Sequence, residues 1–140
     1  MAGRLTQYGA NRAVQAGLGD AVAASAAMYL ALATAVPAGS VTANLAAYGS
    51  VELTTAGYAR QPVTWDPATG SDPSVMASAA LVTFGPFEAD PPEIGYLFLC
   101  TTSIGTVGYV MACWQFETAR DPAEDDSLNI GAGDLTMGVA

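Results

Sequence analysis

The chain has 140 residues, about half of them hydrophobic, and carries four Arg, no Lys and no His against thirteen acids, for a formal charge of −9. That balance argues against a nucleic-acid partner, because such affinity rests on several cations neutralising phosphates, and against an anionic membrane surface for the same reason. The lack of His removes His-dependent triads and His zinc sites, and without Lys or His no ordinary base remains to activate the many Ser and Thr hydroxyls.

The length suits one domain over residues 1–140, with an N-terminal helical arm over 1–20 and a β domain over 26–140. A chain of this size buries roughly two-thirds of its unfolded surface and needs no disulfide or metal to fold. Leu5 to Leu18 has helical spacing, with Leu5, Tyr8, Val14 and Leu18 near one face. Thr6 stands where a cap is wanted, and Gly17 and Gly19 supply a stop. Gly9 weakens this helix, so packing must support it.

Ala21 to Val36 is apolar and ends in small residues downstream of Arg4 and Arg12, which gives it a superficial likeness to a secretory leader. Asp20 abuts it, however, and the preceding segment reads as an amphipathic helix. The run is too short to span a bilayer comfortably. Ala26 to Val36 is instead the first strand candidate, with Met28, Leu30 and Leu32 on one face and Tyr29 on the other. Thr42 to Tyr48 reads as a second short helix, with Thr42 as N-cap and Gly49 past its end.

From Gly57 the period is two. Tyr58 to Trp65 reads as a strand, and Pro62, which cannot donate to a ladder, makes it an edge or a bulged strand. Asp66 to Ser74 is a loop, Ala79 to Phe84 a strand, and the proline-rich Gly85 to Glu93 an extended crossover. Ile94 to Thr102 and Val107 to Glu117 are the strongest strands, joined as a hairpin through residues 103–106. Leu97, Phe98, Leu99, Val110, Trp114 and Phe116 are the expected core. Both strands are apolar on both faces, which places them centrally or leaves one face for another subunit. Arg120 to Asp126 is a charged loop, and Leu128 to Ile130 and Leu135 to Val139 close the chain. The pattern predicts a mainly β fold: a sandwich or small barrel of about six to seven antiparallel strands with two short helices.

No set of residues forms a catalytic constellation, so neither enzymatic activity nor a cofactor is expected. Asp121, Glu124, Asp125 and Asp126 are the only dense acid cluster and weak calcium candidates, but they lack the EF-hand spacing and its central Gly. Gly131-Ala132-Gly133 lacks the Lys of a phosphate loop and reads as a turn. Asp72, Asp90 and Glu93 lie beside prolines with nothing to pair them as acid and base. Cys100 and Cys113 fall in neighbouring strands, as two buried thiols or a cross-strand disulfide. Arg60, in the small and apolar Tyr58-Ala59-Arg60, needs a carboxylate or carbonyl oxygens nearby. These are supplied either within the chain or across a subunit contact, where Arg is favoured. Leu5, Tyr8, Tyr29, Tyr58, Arg60 and Trp65 are the interface candidates.

Three stretches carry a resemblance: Leu5-Thr6-Gln7-Tyr8-Gly9-Ala10-Asn11, Met28-Tyr29-Leu30-Ala31-Leu32-Ala33-Thr34 and Gly57-Tyr58-Ala59-Arg60-Gln61-Pro62-Val63. With the closing residues 128–137, they resemble small structural proteins of tailed-bacteriophage virions, of the tail-fibre, minor structural or capsid-decoration type. The resemblance implies a β-sandwich and a virion role and carries no catalytic residues. A globule of this length has a radius of gyration of only about 14 Å, and the chain shows no repeat that would extend a shaft. The expectation is therefore an accessory protein on the outer surface of the capsid, in contact with the major capsid protein and copies of itself. The alternatives are a tail-associated or tail-fibre protein contacting tail proteins, and a carbohydrate-binding module presenting Tyr48 or Trp65.

Overall fold

The computed structural model describes residues 3–17, 28–36, 44–69 and 74–139. The N-terminal arm begins with a two-residue strand, β1 (Arg4–Leu5), which leads into α1 (Gln7–Gly17). Thr6 sets the junction. Its hydroxyl accepts from the Gly9 amide as an N-cap and donates to the Val110 carbonyl, so one buried side chain caps the helix and fastens it to the sheet. Gly9 is required by that docking: a Cβ there would stand 2.5 Å from the Met111 carbonyl oxygen. The helix starts after Leu5, later than its apolar spacing suggests, because Leu5 pairs with Ala112 as strand.

Strand β2 (Met28–Ala33) is followed by a four-residue 3-10 helix, Leu45–Tyr48, and by β3 (Gln61–Val63). The 3-10 helix is capped by the Asn44 side chain, whose oxygen accepts from the Ala46 amide. The expected Thr42 cap lies outside the described residues. β4 (Ser74–Ala77) and β5 (Val82–Phe84) precede the long hairpin of β6 (Ile94–Cys100) and β7 (Val110–Arg120). β8 (Leu128–Ile130) and β9 (Thr136–Val139) complete the order.

The principal sheet has the order β1-β7-β6-β2-β3, and all its pairings are antiparallel. β3 is an edge strand, as Pro62 demands. Tyr58 and Arg60 lie outside that strand, which is shorter than the alternation suggests. β4 pairs with β9 and β5 with β8 in two separate ribbons, and the sheets form no closed barrel among the described residues. β4 falls at the margin of what reads as the 66–74 loop, and its Ser-Val-Met-Ala sequence has no charge or aromatic alternation to announce it.

The core explains why β6 and β7 are apolar on both faces. Leu97, Leu99, Trp114 and Phe116 face one side, where Val82, Phe84, Leu128 and Ile130 of the β5–β8 ribbon pack on them. Phe98, Cys100, Val110 and Cys113 face the other side, where Leu45 and Tyr48 of the 3-10 helix cover them. The second face is therefore buried by the chain's own 3-10 helix, and the subunit suggested for that role is not needed. Cys100 and Cys113 are free buried thiols; the disulfide option is not what forms. Trp114 anchors the first cluster: it is stacked on Trp65 with ring centroids 6.0 Å apart and donates from Nε1 to the Thr136 carbonyl.

Thr6→Val keeps the shape of the joint and removes both hydrogen bonds. It is expected to lower unfolding free energy by about 1–2 kcal/mol in urea titrations, with amide exchange accelerated first in the opening turn of α1.

Candidate functional site

The 52–60 segment folds back on itself and gathers a hydrogen-bonded polar cluster of Glu52, Tyr58 and Arg60. A turn closed by the Tyr58 amide on the Thr55 carbonyl carries Gly57 at φ 85°. A Cβ on Gly57 would lie 2.4 Å from the Pro86 carbonyl oxygen, so this turn requires glycine. The reversal brings Tyr58 and Arg60 onto Glu52. Arg60 donates from Nε to Glu52 Oε1 at 2.8 Å and from one terminal nitrogen to Oε2 at 2.7 Å, a bidentate pair whose side chains are only 5% and 13% exposed. The Tyr58 hydroxyl donates to Glu52 Oε1 and accepts from the Leu32 amide.

The same guanidinium reaches across to the connection between β6 and β7. It donates to the Thr102 carbonyl at 3.0 Å and to the Gly105 carbonyl at 2.8 Å. Arg60 thus joins the 52–60 loop to the hairpin tip, and the hydrogen bond to Glu52 holds its pKa above the ordinary Arg value. Burial, followed by the nearby Glu52 charge, pushes the Tyr58 hydroxyl far above its usual range, so it stays a protonated donor. Arg60 meets its carboxylate inside the chain, which is the first of the two options that its sequence context leaves open.

The tip held in this way is apolar. Ile104 is 85% and Val107 86% exposed, and Tyr109 is 51% exposed. Tyr109 stacks on Tyr8 of α1 with centroids 4.3 Å apart and planes 3° off parallel, and the Arg12 guanidinium stands 6.0 Å from the Tyr8 centroid. Sequence reasoning named Tyr8 but missed Ile104 and Val107. Their signal was an uncharged Thr-Ser-Ile-Gly-Thr-Val run longer than a tight hairpin needs, with the whole connection extending over residues 101–109.

The other candidates separate. Leu5 packs against the first core cluster beneath β7, Tyr29 is half-buried on the second face, and Trp65 is half-buried against Trp114. Tyr48, expected as a sugar-stacking ring, is a correction: it is 1% exposed, and its hydroxyl lies 3.1 Å from Cys113 Sγ, so it offers no face to a ligand. Asp121, Glu124, Asp125 and Asp126 are exposed and do not converge; among the described residues no group of three or more such side chains is placed to hold a metal. Asp126 accepts from the Ala123 amide and Asp90 from the Glu124 amide, so these carboxylates tie loops together. No helix among the described residues is long and apolar enough to cross a membrane.

Charge is unevenly placed along the principal sheet. Residues 94–116 include no charged side chain. Near the tip stand Arg12 on α1 and the Arg60–Glu52 pair, whereas Arg4 on β1 pairs with Cys113 partway along β7. At the opposite end, β7 runs out through Glu117, and the 85–93 and 121–127 loops meet by hydrogen bonds. With Asp134 beside Glu117, that region holds nine of the thirteen acids (Glu88, Asp90, Glu93, Glu117, Asp121, Glu124, Asp125, Asp126 and Asp134) against Arg120.

With this geometry in place, the comparison with known families is decisive for kinship. The sequence matches the family described as podophage GP4 fiber I protein gp80 over residues 4–138. The chain belongs to this family. It is therefore a phage fibre or structural protein by descent, and the resemblance seen in the 5–11, 28–34 and 57–63 stretches points the same way. No curated protein matches the chain.

Glu52→Ala leaves the Arg60 guanidinium buried with half its partners removed. It is expected to cost about 3–5 kcal/mol by urea denaturation and to loosen the tip, read as faster amide exchange at 102–106. Burial raises both thiols above their ordinary value. A thiol raised in the folded state keeps its proton longer there than in the unfolded chain, so its stabilisation is complete below about pH 8.5 and is lost as pH rises above that. Urea midpoints should accordingly fall from pH 8.5 to 10.5. At pH 8 a thiol reagent should label neither cysteine in the native protein and both in denaturant.

Proposed function

We propose that this chain is a non-enzymatic fibre component of the podophage virion that works by covering and joining other protein surfaces. The observation that carries the reading is the family match over residues 4–138, whose description is a fiber protein. The chemistry is consistent with it. The polar cluster of Arg60 with Glu52 and Tyr58 spends its hydrogen bonds on holding a loop and presents no open base or nucleophile. Beside it the hairpin tip offers exposed apolar side chains, the ordinary material of a protein contact.

A second reading, an accessory protein on the outer capsid surface touching the major capsid protein, is favoured by the strong net negative charge. That charge suits an outward position away from packaged DNA. Both readings place the chain in the virion.

Cryo-electron microscopy of purified particles, with an antibody fragment against this chain as a fiducial, separates them. Density on tail appendages is the expected result. Density confined to the capsid lattice transfers the chain to the second reading, and particles without the protein overturn both.

A further inference from the structure

We propose that the β6–β7 tip is a lipid contact, in which Ile104 and Val107 enter the surface layer of an uncharged bilayer while the acidic end of the sheet stays in water. Scattered exposed apolar residues need no explanation. These two are 85% and 86% exposed at the apex of one loop. A Cβ on Gly105 between them would meet nothing within 4 Å, so the apex stands clear of the rest of the chain. The guanidinium bonds from Arg60 to Thr102 and Gly105 order the loop beforehand, which lowers the entropy lost on docking.

Exposed side chains of this kind also serve protein contacts, and a protein is the alternative occupant. A stable protein interface takes roughly 20–30 residues a side, whereas the apex offers two side chains with Tyr109 behind them. A bilayer asks for no matching surface, and a few apolar side chains past the headgroups give weak, reversible partitioning. It does ask that backbone polar groups be bonded within the protein, because hydrocarbon offers them no partner. The 101–109 connection goes far to meet that demand. The Thr102 and Gly105 carbonyls accept from Arg60, the Gly108 carbonyl from the Leu45 amide and the Tyr109 carbonyl from the Thr101 amide.

Charge is distributed as such a contact requires. Neither residues 94–116 nor residues 44–51, joined to the tip by the Leu45–Gly108 bond, include a charged side chain. Among the described residues the charges near the tip are Arg12 and the mutually neutralised Arg60–Glu52 pair, while nine of the thirteen acids gather at the far end of the sheet. Tyr109, half exposed and stacked on Tyr8, stands on the shoulder of the tip, where a ring with an apolar body and a polar end suits a membrane–water boundary. The net charge of −9 still repels an anionic surface, but entry into neutral lipid needs no Coulomb attraction. The proposal goes beyond the fibre reading and does not depend on it. Lipid binding by the purified chain and localisation on particles are separate measurements, so either can fail alone.

The test uses the full chain with Thr106→Cys at the tip or Ser127→Cys at the acidic end, each labelled with an environment-sensitive fluorophore. Cys100 and Cys113 are buried and stay unlabelled in the native protein. Circular dichroism confirms that each variant is folded. With phosphatidylcholine vesicles at millimolar lipid, the tip label is expected to brighten and shift to the blue, and the Ser127→Cys label to stay unchanged. Adding I104D/V107D to the tip-labelled chain is expected to weaken partitioning at least ~10-fold, and mixing phosphatidylglycerol into the vesicles to weaken binding of the chain with an intact tip. A tip label that stays unchanged at the highest lipid concentration overturns the inference and leaves the tip to a protein partner. An equal response from both labels also overturns it, as does partitioning that I104D/V107D leaves intact or that anionic lipid strengthens.

Discussion

The ion pair between Arg60 and Glu52 is the constraint on which the presentation of the tip depends. A guanidinium almost wholly removed from water is tolerable only if its donors are matched, and here a bidentate carboxylate and two carbonyls match them. The Tyr58 hydroxyl on the same carboxylate extends the network to the amide of Leu32 in β2. One cluster therefore fixes three separate parts of the chain: the turn at Gly57, the interior strand β2 and the end of the β6–β7 hairpin. The acid does not float on a surface where salt would weaken it; its partners are fixed by backbone.

Around this point the sheet has the arrangement of a middle layer. One face packs on a β ribbon, the other on a single turn of 3-10 helix. The second cover is thin, and it works because the residues beneath it are small or flat: Ala31, Ala33 and the two cysteines leave room for Tyr48 to lie against Phe98 with centroids 4.7 Å apart. The abundance of alanine, which buries little area anywhere else, here sets how closely the helix can approach.

Much of this was legible in the residues. The long apolar runs of β6 and β7 and the proline at β3 each have one local physical cause, so strand pairing at the hairpin and the edge position could be read directly, and Thr6 could be named as the cap although the apolar spacing began the helix too early. What depended on distant contact could not. Glu52 has no local mark distinguishing it from other acids, and its tie to Arg60 exists only because Gly57 turns the chain back. β4 has no pattern of its own and is strand because β9 lies beside it. Nothing local in the sequence marks Tyr48 as buried, and only tertiary packing turns its ring inward.

The proline at the border of the principal sheet has a further consequence. An unprotected sheet margin invites another chain to continue the ladder. Pro62 removes a donor from that margin on β3, and at the opposite margin β1 is only two residues long. Both features disfavour continuation of the ladder by a neighbouring backbone, the route to amyloid-like precipitation.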